Sequence, residues 1–208
     1  MLVEFLEQVV GDKKLHVKWL NTLSMMENVG ARKIAAAEHP TKVTTMMLKH
    51  AAEEARHAYY LKRLISKLDI SVPDTYDFQY LLAPINSLQY LHRLDVFASR
   101  YLKEELGLKG HELKYASYLL VTYAIEVRAD ELYPIYEDVL KRLNSKVSVR
   151  TIIVEEEGHL ADMKIQLEDF STYWEAHANA ITSYESLLFD KWLEKTQASI
   201  SPKVLFAH

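Results

Sequence analysis

Two strings, EEARHAYY and VEEEGHLADM, each place a Glu-x-x-His pair inside a helical stripe that is otherwise built for a core. Residues three and four apart share one face of a helix. Glu54 and His57 therefore stand with Met47, Ala51, Ala58 and Leu61, and Glu156 and His159 stand with Ile152, Ile153, Leu160 and Met163. Two lone glutamates repeat the pattern. Glu27 falls among Leu20, Leu23, Gly30, Ala31 and Ile34, and Glu126 falls among Leu119, Tyr123 and Ala129. An unpaired ionised carboxylate in a core costs several kcal/mol, and four together also repel one another. A fold that buries these faces must supply cations. Carboxylates mixed with imidazoles suit iron or manganese.

The rest of the chain says what kind of fold could do so. Five glycines and five prolines in 208 residues leave too few tight turns for an all-β sandwich or barrel. No glycine fingerprint for a dinucleotide or a nucleotide phosphate is present. The periodicity predicts an all-α chain. A short amphipathic piece covers 2–10. Longer helices follow over about 12–38, 41–68, 84–106, 112–143, 148–167 and 172–198, with Thr41 as the N-cap of the second long helix. Pro134 is expected to kink or interrupt the helix that holds it. No domain linker is visible, so one domain over 1–208 is expected, with a bundle at about 12–167.

The register favours a shared site. Glu27 lies 13 residues before Pro40 and Glu54 lies 14 after it. At 1.5 Å per residue both stand about 20 Å from the turn, facing each other across an antiparallel pair. Glu126 and Glu156 fit less well: their midpoint is residue 141, whereas the turn reads at 144–147.

The order Glu … Glu-x-x-His … Glu … Glu-x-x-His resembles the ferritin-like di-iron carboxylate superfamily, whose bundles carry one glutamate on each of two helices and Glu-x-x-His on each of the others. The resemblance implies a ferritin-like four-helix bundle with a long crossover and additional helices. The 69 residues from His57 to Glu126 leave room for that crossover, with the 84–106 helix inside it. It implies that Glu27, Glu54 and His57 largely bind one metal and Glu126, Glu156 and His159 the other, with Glu54 and Glu156 bridging. It also implies that the preceding acids hold the opposite histidines, Glu53 on His159 and Glu155 on His57. Relatives usually carry Asp at those two positions. Tyr123 and Asp130, one turn either side of Glu126, are further supporting candidates. His50, one turn before Glu54, reads more readily as a satisfied or exposed histidine.

The implied cofactor is two iron ions, with manganese as the alternative. The absence of cysteine removes a rubrerythrin-type iron domain, and the chain is nearest in style to the small di-iron oxygenases and oxidases. The expected activity is oxidation of a small organic substrate with dioxygen, with electrons from an external donor. The alternative is an iron-handling or peroxide-detoxifying protein, including manganese catalase-like activity. A net charge of −4 argues against nucleic acid. The acids near the N-terminus argue against a signal peptide, and no apolar run is long enough for a membrane span. A cytoplasmic protein is expected, with a homodimer left open.

Overall fold

The computed structural model describes residues 1–200, so residues 201–208 of the expected domain lie outside the described residues. The described residues form seven α-helices and no strand: α1 (Leu2–Gly11), α2 (Lys13–Ala37), α3 (Thr45–Leu64), α4 (Pro84–Leu106), α5 (Gly110–Arg142), α6 (Arg150–Phe170) and α7 (Trp174–Ile200). None is long and apolar enough to cross a membrane.

Local chemistry sets most boundaries. Asp12 caps α2, its carboxylate accepting from the backbone N–H groups of Lys14 and Leu15 at 2.7 and 3.2 Å. Pro84 opens α4, and Gly107, at φ +65°, closes it in the left-handed conformation that glycine adopts without strain. The cap of α3 is a correction: it is Thr44, which accepts from Met47 N–H, and not Thr41. Thr41 lies instead in a turn around His39, whose Nδ1 accepts from the N–H groups of Thr41 and Lys42. The other end of α3 tightens into a 3₁₀ turn over Ile65–Leu68.

Helix α5 runs unbroken through Pro134. The carbonyl that loses its donor there belongs to Asp130, an exposed residue that water can reach. The register mismatch of the second pair has another cause. A turn at 143–144 closes α5, and the chain then continues as an irregular loop to residue 149. Buried Glu137 on α5 accepts from Ser148 Oγ at 3.1 Å and Val149 N–H at 2.8 Å. The loop thus returns along α5 to the level of Glu137 before α6 begins, and Glu156 gains height on Glu126.

Helix α2 packs most extensively on α3, and α5 on α6, giving two hairpins. Helices α4 and α7 pack on each other and on α5. One end of the interior is aromatic: Trp19 stands edge-on to Phe5 and Tyr136 and lies 5.9 Å from Trp192. The crossover between α3 and α4 is tied to α2. Asn21 donates to the carbonyls of Thr75 and Tyr80, and Thr22 Oγ1 accepts from Leu82 N–H. This leaves the polar faces of α2, α3, α5 and α6 to meet midway between the hairpins.

Candidate metal centre

Where those faces meet, the structure brings together Glu27, Glu54, His57, Glu126, Glu156 and His159, and adds His50. All except Glu27 are at most 7% exposed. Glu27 keeps part of its surface open to a cavity. The ligand-capable atoms fall into two groups, each lying within 4.8 Å of one another: Glu27, Glu54 and His57; and His50, Glu54, Glu126 and His159. Glu54 belongs to both groups. Glu156 joins them, with Oε1 3.1 Å from His57 Nδ1 and Oε2 3.1 Å from His159 Nδ1.

Each Glu-x-x-His histidine is held from behind by the opposite helix. His57 Nε2 lies 2.8 Å from Glu155 Oε2, and His159 Nε2 lies 2.8 Å from Glu53 Oε2. Arg56 ties these outer acids together, 2.8 Å from Glu155 and 3.5 Å from Glu53. Such pairing puts a proton on Nε2 and turns Nδ1, with its lone pair, toward the centre. His57 Nδ1 is buried there without a hydrogen bond, although Glu156 Oε1 is near. Two lone pairs facing each other at that distance need a cation between them, either a proton or a metal.

The electrostatics describe the same deficit. Burial pushes the Glu27 carboxyl well above its ordinary range, helped by the charges of Glu54 and Glu156 and opposed by the hydrogen bond from Tyr133. Burial and Glu156 push Glu126 up to about 8. Glu156 goes the other way: burial opposes its charge, but hydrogen bonds from Glu126, His159 and His57 hold it below the usual carboxylate range. Burial also opposes charge on the imidazoles, yet their carboxylate partners win. His50 rises to about 9 and His159 to about 11, and His57 rises as well. Without a metal the cluster holds protons in place of a cation. A divalent metal would displace them.

The other sequence candidates fall elsewhere. Tyr123 is half-buried and packs edge-on against Trp174 at 5.9 Å, away from the cluster. Asp130 is exposed, and its neighbour Arg128 pairs with Glu185 and Glu131. Helix geometry explains both corrections. At roughly 100° per residue, a residue three before Glu126 stands about 60° off its face and one four after it about 40° off. Tyr133, seven after, is only about 20° off, and its hydroxyl donates to Glu27 Oε1. Periodicity carried as far as seven residues could have found it. His50 is satisfied rather than exposed, and its partner is within the cluster: it is 4% exposed and lies 2.7 Å from Glu126 Oε1. Its signal was the shared face of His50, Glu54 and His57.

A cavity of about 460 Å³ between α2, α4, α5 and α7 reaches the carboxylates of Glu27, Glu54 and Glu126. Its walls are mainly apolar, with Leu23, Leu94, Val121, Ile125 and Trp192 among them. Compared with protein families, curated proteins and solved structures, the chain matches none.

Proposed function

We propose that this chain is a dinuclear metal oxidase or oxygenase of the ferritin-like di-iron carboxylate kind, acting on a small apolar organic substrate. The observation that carries the reading is the buried cluster of four carboxylates with histidine nitrogens turned inward, His57 Nδ1 among them without any hydrogen bond. Glu27, Glu54, Glu126 and Glu156 supply hard oxygen ligands, and His57 and His159 supply imidazole. That mixture favours iron, with manganese as the alternative. The bound ions would supply the redox chemistry that reduces dioxygen, with electrons from an external donor.

The chain's own residues do the rest. Glu53 and Glu155 fix the imidazole rings, and Arg56 fixes those two acids. The apolar walls exclude bulk water and lead an uncharged substrate to the carboxylates of Glu27 and Glu126. The Tyr133 hydroxyl orients Glu27 at the mouth of the site. This cavity is what favours an organic substrate over the iron-handling or peroxide-detoxifying alternative, neither of which needs an apolar chamber of that volume.

The test begins with anaerobic loading by Fe(II). Two ions per chain are expected, followed by oxygen uptake and a ferric absorption when air is admitted. Protein that binds no metal overturns the reading. Iron-loaded protein that stays inert in air, beside a manganese form that rapidly disproportionates hydrogen peroxide, transfers the function to the peroxide alternative.

A further inference from the structure

His50 presents its ring to the cluster in the reverse sense from the other two histidines. His57 and His159 turn Nδ1 inward and hold Nε2 against an acid. His50 turns Nε2 inward, 2.7 Å from Glu126 Oε1 and 3.4 Å from Glu54 Oε1, and its Nδ1 lies 3.3 Å from the Tyr118 hydroxyl. Tyr118 itself donates to Met163 Sδ at 3.8 Å, which leaves the phenol oxygen free to accept. With Nδ1 donating to Tyr118, Nε2 offers its lone pair to a metal once the proton it shares with Glu126 is displaced. His57 Nδ1, on the same helix face, also turns toward the carboxylates but has no hydrogen bond, whereas His50 Nε2 is hydrogen-bonded to Glu126.

Resting on the metal centre proposed above, we infer that His50 is a metal ligand and that the two metal positions are chemically unequal. One is faced by two imidazoles, His50 Nε2 and His159 Nδ1, with Glu54 and Glu126. The other is faced by one imidazole, His57 Nδ1, with Glu27 and Glu54. Glu156 reaches both. Nitrogen-rich sites bind later first-row divalent metals more tightly than oxygen-rich ones, so the His50 position fills first. The inference assigns a role to Tyr118 as well: it positions His50 by fixing its tautomer.

Cobalt(II) is the probe, because a ligating histidine's remaining ring N–H gives a strongly shifted, exchangeable proton resonance in the paramagnetic protein. In the wild-type chain loaded with two Co(II) ions, three such resonances are expected, from His50, His57 and His159. Two resonances overturn the inference while leaving the metal centre standing. Wild-type protein that takes up no Co(II) overturns both. Stepwise titration gives the second readout. His50→Gln should weaken the first binding step by at least about tenfold and leave the second nearly unchanged, whereas His57→Gln should weaken the second. Gln keeps a hydrogen bond to Glu126. Wild-type titration curves and visible spectra in His50→Gln would show that His50 only positions Glu126, and the inference would fall.

Discussion

Glu185 and Glu126 are both glutamates with almost no contact with solvent, at 1% and 2% exposed, and the chain treats them in opposite ways. Glu185 on α7 has its cation built in. Arg128 donates to it through Nε and Nη2 at 3.0 and 2.8 Å, the Tyr90 hydroxyl adds a third bond at 2.5 Å, and the guanidinium rests 4.0 Å from the centre of the Phe189 ring. Nothing about that pair asks for a further partner. Glu126 faces the carboxylates of Glu54 and Glu156 and the imidazoles of His50 and His159, and among the described residues no lysine or arginine pairs with it. The first arrangement is a closed structural ion pair. The second is a cluster of ligand atoms short of positive charge. The difference separates a buried acid that holds a fold together from one that waits for a cation. His16 shows a third solution: it is buried and simply stays neutral.

The largest effect is expected at Arg128. Arg128→Met leaves Glu185 buried beside an apolar side chain, and the metal-free protein should lose about 3–5 kcal/mol in urea unfolding. Adding Glu185→Gln, which still accepts from Tyr90, should restore most of the loss. A single variant costing under about 1 kcal/mol, the range of an exposed pair, would show that the Arg128 pair is not a closed structural unit.

Next in size is His16. Burial lowers its pKa from the ordinary 6.5 to about 4, and its Nε2 lies 2.5 Å from the Tyr136 hydroxyl. Because the folded value is depressed, the unfolded chain takes up the proton first as pH falls. The stability that neutral His16 contributes is fully present above pH 6.5, declines below it, and is gone below about pH 4. His16→Gln keeps an acceptor for Tyr136 but cannot titrate. Between pH 7 and pH 4, metal-free wild type should therefore lose on the order of 3 kcal/mol more than the variant, as read from urea midpoints at each pH. Parallel loss in both proteins would mean that His16 carries charge after all.

The smallest effect is expected beside the metal centre, at Glu155. Glu155 is held below the usual carboxylate range: burial opposes its charge, but the hydrogen bonds from Arg56 and His57 prevail. Glu155→Gln should weaken metal binding about 10–100-fold, as measured by competition with a chelator. The stability of the metal-free protein should stay within about 0.5 kcal/mol, as for a partly exposed position. A large loss of stability without a change in metal affinity would make Glu155 a structural acid like Glu185.

Much of the fold was open to reading because its signals are local. Period-3.6 stripes mark the helices, Asp12 caps α2, and Pro84 and Gly107 bracket α4. Thr41 misled because it competes with Thr44 three residues on, and His39 decides between them by taking the N–H groups around Thr41. The six acids and histidines on apolar faces were legible for the same local reason: a carboxylate in a core stripe is conspicuous without a partner in view. The 143–149 loop was harder. Its course depends on Glu137 accepting from the Ser148 hydroxyl and the Val149 backbone N–H, 11 and 12 residues downstream, which no turn signal announces.

By itself the sequence determined which side chains can hold a metal and that helices would present them, since both follow from residue chemistry and a fixed rotation per residue. Packing then selected among the residues near those faces, bringing His50 and Tyr133 into the cluster and leaving Tyr123 and Asp130 outside it. It also decided which ring nitrogen faces inward, and that Arg128 is taken up by Glu185, 57 residues away. These outcomes depend on how each helix is rotated against its neighbours and on distances between segments far apart in the chain. That information arises only when the apolar faces pack.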